Sequence, residues 1–390
     1  MVRPFQFSRL PLIFFGPGKL SLVPGLIKRY GTSVVLVTGK SSFLSSGKYR
    51  DLVDSFTDQG IMYQNVVISG EPSPAMVDTE IARLNKAKID LVLSIGGGSV
   101  IDAGKAISAM LYRHESVKTY LEGVGERDHP GTKIPFIAVP TTSGTGSEAT
   151  KNAVISDIGE EGFKKSLRHD NFVPDIAVVD PELTLNCPPA ITAASGMDCF
   201  TQLTEAFLSD KSNEYTDAFA WEGIKAIKSS LLRSYIEGSD IEARSGMSFA
   251  ALTSGICLAN AGLGVVHGFA SSIGGRYSIP HGVVCGTLMA PANAVTVRKL
   301  RKEKINHRSL MKYLRLGQLF LDEVNKTDDY YIDGFTQYLW RVADELGLPG
   351  LKSYGVEEKD IEAIADITET KNNPAKLDRD ELIEILTTRL

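Results

Sequence analysis

The sequence is poor in the features that mark several protein classes. It has only four cysteines, Cys187, Cys199, Cys257 and Cys285, and none forms a Cys-x-x-Cys pair. That excludes a disulfide scaffold; the expectation is reduced thiols, most of them packed in the core, Cys199 included. No apolar run approaches the ~20 residues that span a bilayer. The opening residues, Met1-Val2-Arg3-Pro4-Phe5-Gln6-Phe7-Ser8, lack the apolar stretch of a secretory signal, so a cytoplasmic location is expected. Basic residues do not outnumber acidic ones, and the net charge of −5 argues against nucleic acid or an anionic membrane as a partner. There is no internal repeat and no low-complexity tract.

What is present suits a large globular chain. At 390 residues it exceeds what a single core usually holds, so two domains are expected. Through residue 180 short apolar runs alternate with helical patterns. Strands are predicted at 12–15, 33–38, 63–68, 90–95, 133–140 and 175–180, and helices at 22–30, 48–59, 75–86 and 100–107. Such alternation implies a mainly parallel sheet covered on both faces, with ligands beyond the carboxyl ends of its strands. From 188 onward helical periodicity takes over, at 190–208, 214–235, 241–260, 313–324, 333–345 and 379–388. The predicted boundary therefore separates an α/β dinucleotide-binding domain, 1–185, from an all-α metal and substrate domain, 186–390.

Three glycine-rich or polar segments fall at strand ends: 39–42, 96–99 and 141–147. In the second, a buried strand runs into Gly96-Gly97-Gly98-Ser99 and straight on into a helix containing Asp102. Glycine lets backbone approach a ligand closely, and the free amides and dipole of a helix start favour a phosphate. A dinucleotide is the economical explanation of all three. An acidic residue normally ends the second strand and repels a 2′-phosphate, but here Gly39 leaves room, and Lys40 and Ser41 can hold one. NADP is therefore expected over NAD.

The helical half carries Asp198 with Gln202 at i+4 on one helix face, and His267 and His281 in separate glycine-flanked segments. Two histidines and a carboxylate from three segments are able to close a site for a divalent transition metal. Trp221 and Trp340 are expected in the core, His114, His129, His169 and His307 at the surface, and the basic run 298–304 on a solvated helix face.

These motifs together resemble the iron-containing alcohol dehydrogenases: Phe15-Gly16-Pro17-Gly18, Gly96 through Asp102, Pro140 through Glu148, Val179 through Thr184, Gly196-Met197-Asp198, Gly262 through Gly268 and Pro280-His281-Gly282. The resemblance covers nearly the whole chain. It implies a Rossmann-like N-terminal domain, a helical C-terminal domain and an active site between them. It further implies hydride transfer between a primary alcohol or aldehyde and NADP or NAD, and at least a homodimer. Gly97, Gly98, Ser99 and Asp102 would lie at the pyrophosphate. Thr141, Thr142 and Thr145 would line adenine and ribose, and Lys164 would contact the nicotinamide ribose. Asp198, Gln202, His267 and His281 would hold the metal, with Asp198, His267 and His281 serving catalysis through it. Two positions depart from the family, which usually has histidine where this chain has Gln202 and often where it has Ser271. Iron(II) is the expected ion, with zinc or an empty site as alternatives. A metal-independent oxo-acid reductase and a non-catalytic dinucleotide-binding protein are the rival readings.

Overall fold

The computed structural model describes residues 3–159 and 162–390. All six strands read from the sequence enter one sheet: β1 (Leu12–Phe15), β2 (Ser33–Gly39), β3 (Met62–Ile68), β4 (Leu91–Gly96), β5 (Phe136–Pro140) and, later in the chain, β8 (Ile176–Val179). Every pairing is parallel, in the order β1-β8-β5-β4-β2-β3. Side chains alternate between the two faces, as the period of a strand requires. Val35, Val37, Val92 and Phe136 pack on one side, under helices α3 (Pro74–Leu84) and α4 (Gly98–Met110). Leu36, Leu91, Leu93 and Ile137 pack on the other, with α1 (Val23–Ile27) and α2 (Gly47–Asp58). β3 lies to one side of β2 and β4 to the other, so the chain reverses its direction of travel across the sheet there. The carboxyl ends of β2 and β4 flank the resulting crevice.

An antiparallel hairpin, β6 (Asn152–Asp157) and β7 (Phe163–Arg168), was not expected. Its second strand, Phe163-Lys164-Lys165-Ser166-Leu167-Arg168, is too polar to register as an apolar run.

Nine helices follow among the described residues: α5 (Pro189–Leu208), α6 (Glu214–Ile236), α7 (Ile241–Ala261), α8 (Val265–Gly274), α9 (His281–Glu303), α10 (His307–Phe320), α11 (Asp328–Glu345), α12 (Ile361–Asp366) and α13 (Arg379–Thr387). They enclose one core containing Phe200, Phe207, Phe269 and Phe335, with Trp221 and Trp340 half-buried against it. Among the described residues no strand lies beyond β8, and no single helix is long and apolar enough to cross a membrane.

Two surface expectations fail. His129 is buried between the rings of Tyr120 and Phe172, at centroid distances of 5.0 and 4.8 Å, and burial pushes its pKa down to about 4; His169 is half-buried beside Phe172. The basic run is not uniformly solvated either. Lys299 is buried, and its ammonium pairs with Asp378 at 3.1 Å and Glu381 at 2.7 Å.

Candidate active site

The site is built from two halves that meet at the segment 141–147. On the sheet side, β4 ends at Gly96, Gly97 precedes the helix, and Gly98 opens α4, whose first turn has no side-chain cap. A Cβ on Gly97 would come within 3.3 Å of the Thr142 hydroxyl oxygen, and one on Gly98 within 2.8 Å of the Thr145 methyl. A side chain at 98 would therefore push the turn and the threonine loop apart, and one at 97 would crowd them. The end of β2 joins them, since a Cβ on Gly39 would sit 3.8 Å from Val100 of α4. Lys40 and Ser41 are exposed beyond it. The three segments read as a cofactor cradle thus converge.

Asp102 and Lys105 hold this arrangement from beneath. Asp102 accepts hydrogen bonds from the Ser147 hydroxyl and, at 3.0 Å, from the Val154 amide. The buried Lys105 ammonium donates to the Ser147 carbonyl at 2.9 Å, the Thr150 hydroxyl at 3.1 Å and the Asn152 carbonyl at 2.8 Å. Both oxygens of Asp102 are therefore engaged by protein donors. Its place is under the loop.

On the helical side, Asp198 sits mid-way along α5, buried to 2% exposure. His267 lies in the first turn of α8, and His281 is the first residue of α9. Two glycines one helical turn apart decide how closely α9 approaches α5. A Cβ on Gly282 would lie 2.2 Å from the Ala194 carbonyl oxygen, and one on Gly286 2.7 Å from Met197 Cβ. That approach brings His281 Nε2 to 3.5 Å and His267 Nε2 to 3.3 Å from Asp198 Oδ1.

Two further groups belong to this cluster and were not picked out from the sequence. Glu205, seven residues after Asp198 on the same helix face, accepts from His267 Nδ1 at 2.6 Å and from the Val266 amide at 2.7 Å. It caps α8 and accepts the Nδ1–H of His267, which leaves Nε2 as the ring atom facing Asp198. The i, i+7 spacing was the available signal. Cys285, one turn after His281, places Sγ 3.6 Å from His267 Nε2 and 3.7 Å from His281 Nε2. The ligand atoms of Asp198, His267, His281 and Cys285 all lie within 4.8 Å of one another.

Gln202 lies one turn after Asp198, as predicted. Its Nε2 is 3.4 Å from Asp198 Oδ2, and its oxygen lies 3.2 Å from Ser254 Oγ. Ser271 donates to the His267 carbonyl at 2.9 Å, and Lys371 reaches the same carbonyl at 2.8 Å. Lys164 of β7 pairs with Glu71 at 3.2 Å, its stem against Gly274 at the end of α8. Burial would raise Asp198, but His281 and His267 hold it down at about 2. Burial, helped by the neighbouring Lys164 charge, pushes His281 down to about 4. Burial likewise pushes the Cys285 thiol up to about 12.

The halves touch directly. Gly144 packs on Ser195 of α5, and Ser143 Oγ lies 3.1 Å from Ser248 Oγ of α7. Ser254 of α7 donates within its own helix and also lies 3.4 Å from the Gly144 carbonyl. A continuous path thus runs from Gly98 through Thr145, the loop, Ser254 and Gln202 to Asp198.

Residues 11–181 match the iron-containing alcohol dehydrogenase family, and residues 192–390 match the C-terminal part of the Fe-containing alcohol dehydrogenase family. The NADPH-dependent butanol dehydrogenase of Clostridium saccharobutylicum is 30% identical, over 96% of this chain and 95% of its own length. The NAD-dependent methanol dehydrogenase of Bacillus methanolicus is 29% identical, over 97% and 98%. The crystal structure of the archaeal Red Sea brine pool alcohol dehydrogenase ADH/D1 superposes with a TM-score of 0.89 at 26% identity, covering all of both chains. Both halves of the chain match: this protein belongs to the iron-containing alcohol dehydrogenase family.

Proposed function

We propose that the protein interconverts primary alcohols and aldehydes with NADP(H), assisted by a divalent cation held by its helical half, as a homodimer or larger homo-oligomer in the cytoplasm. The observation that carries the reading is the convergence of Asp198 Oδ1 and two imidazole Nε2 atoms in a buried site joined through one loop to the glycine turn. Asp198 Oδ1 and His267 Nε2 lie 3.3 Å apart, a contact that needs a positive charge between or on them, which a bound cation supplies in place of the imidazole proton. When bound, the cation supplies a Lewis acid for the alcohol oxygen and the nicotinamide supplies the hydride acceptor.

The chain's own residues do the rest. Asp198 contributes the negative charge and His267 and His281 neutral nitrogens. Glu205 holds the proton of His267 on Nδ1. Gly97 and Gly98, packed against Thr142 and Thr145, bring the uncapped amides at the start of α4 to where a pyrophosphate would bind. Lys40 and Ser41, beyond Gly39, favour a 2′-phosphate over a bare ribose.

The test compares short primary alcohols with NADP+ and NAD+, before and after chelation and metal return. NADP+ is expected to give the higher kcat/KM. Lys40→Ala is expected to lower it about tenfold or more, the loss of one charge-assisted contact, with NADP+ alone. His281→Ala is expected to lose metal and turnover together. Preference for NAD+ would overturn the cofactor reading. Alcohol turnover untouched by complete metal removal would overturn the metal role, and reduction of an oxo acid by the stripped protein would support a metal-free oxo-acid reductase.

A further inference from the structure

The residue that the family's pattern offers as a fourth ligand does not present a donor to the cluster here. An ionised carboxylate only accepts hydrogen bonds, so the Gln202 side facing Asp198 Oδ2 is its NH2 group, 3.4 Å away. The amide oxygen is then directed to Ser254, away from the histidines. Gln202 is a positioning residue: it holds Oδ2 and leaves Oδ1 for the cluster.

A different atom occupies the remaining corner. Cys285 is fully buried, and its Sγ is 3.6 and 3.7 Å from the two imidazole Nε2 atoms that flank Asp198 Oδ1. A thiol has one proton to share, while three other ligand atoms converge on the same space. Tetrahedral zinc, with bonds of about 2.05 Å to N or O and about 2.3 Å to S, requires ligand–ligand edges of about 3.3 Å between N and O atoms and about 3.6 Å from S to N. The observed N–O edges are 3.3 and 3.5 Å, and the S–N edges are 3.6 and 3.7 Å. The four atoms come from α5, α8 and α9, and the approach of α9 to α5 is set by the close contacts of Gly282 with the Ala194 carbonyl and of Gly286 with Met197.

We propose that Cys285 is the fourth protein ligand of the cation, replacing the side chain at position 202, and that the site thereby takes Zn2+ in preference to Fe2+. The proposal rests on the reading above that a cation binds at Asp198, His267 and His281. Thiolate is a soft donor that favours zinc over ferrous iron, and binding of the ion displaces the thiol proton. Cys199, Cys257 and Cys187 lie outside the cluster.

The test is optical. The purified full-length enzyme is stripped of metal, loaded anaerobically with Co2+ and examined by absorption. Four-coordinate cobalt gives visible ligand-field bands, and a cobalt–thiolate bond adds a near-ultraviolet charge-transfer band. Both are expected in the native protein. The charge-transfer band is expected to vanish in Cys285→Ser and to persist in Cys199→Ser and Gln202→Leu. Ligand-field bands without charge transfer in the native protein would overturn the thiolate ligand while leaving a bound cation. Failure to take up cobalt at all would overturn both readings. The native spectrum decides the point even if a variant folds poorly. In a second measurement the apo-protein is offered equal Zn2+ and Fe2+ under argon and its bound metals are counted. Zinc is expected in excess, with the zinc-to-iron ratio falling at least about tenfold in Cys285→Ser, as for loss of a metal-supporting group. A ratio unchanged by that substitution would refute the claimed preference.

Discussion

Replacing Glu205 by glutamine isolates the proton bookkeeping at His267. The carboxylate now accepts two hydrogen bonds, from Val266 N at 2.7 Å and His267 Nδ1 at 2.6 Å, in a site where Glu205 is 7% exposed. A glutamine of the same shape has one accepting atom and one donating group. With its oxygen toward Val266, its NH2 faces Nδ1, and the ring proton must move to Nε2, the atom aimed at the cluster. With the amide reversed, its NH2 opposes the Val266 N–H, and a buried donor goes unpaired. Either outcome forfeits about 1.5–3 kcal/mol, the worth of a hydrogen bond to a charged group or the cost of an unsatisfied buried donor. That corresponds to about a 10- to 150-fold weaker hold on the cation, in the range seen when a metal-supporting carboxylate is lost. Competition against a coloured chelator measures the metal affinity, and fluorescence titration measures NADPH binding. Metal affinity and turnover are expected to fall together while NADPH binding is retained, because the glycine turn is reached only through the loop. Native metal affinity in Glu205→Gln would refute the argument that the carboxylate sets the tautomer.

Three further outcomes follow from close contacts and buried charge. Gly98→Ala puts a Cβ 2.8 Å from Thr145, and the loop displacement this forces should weaken NADPH binding by about 1–3 kcal/mol, about 5- to 150-fold, with metal content unchanged. Gly104→Ala drives a Cβ to 1.8 Å from Ser94 Oγ, between α4 and β4; the unfolding free energy from urea titration should drop by at least the about 1–3 kcal/mol of an overpacked core. Burial raises Glu148 from 4.5 to about 7 against the pull of Lys105, so its folded pKa exceeds its unfolded one. The stability this protonated carboxyl contributes is full below pH 4.5 and is lost as pH rises to about 7. Glu148→Gln should therefore gain about 3 kcal/mol relative to the native protein above pH 7, at 1.36 kcal/mol per pH unit, and show no such gain near pH 4.5. Melting curves at the two pH values check it.

The sheet was legible because a buried parallel strand announces itself locally, and runs such as Leu91-Val92-Leu93-Ser94-Ile95 are apolar on both faces. Helix α9 was not, although it carries His281. Glycines at 282 and 286 and proline at 291 weaken its helical signal, yet those glycines are what let it touch α5. Glu205 and Cys285 went unread for a related reason. Each sits at helical spacing from a residue that was identified, but so do other residues, and spacing alone does not say which face meets the site.

What the sequence determined by itself is whatever acts over a few residues: six strands, most of the long helices, the glycine turn at the head of α4, and Asp198, His267 and His281 as marked positions. The tertiary structure alone decided which atoms those positions share. Crossing distances between α5, α8 and α9 depend on side chains absent at Gly282 and Gly286 and on backbone far away in sequence. That packing turned Gln202 toward Ser254 and set a buried thiol beside two imidazoles.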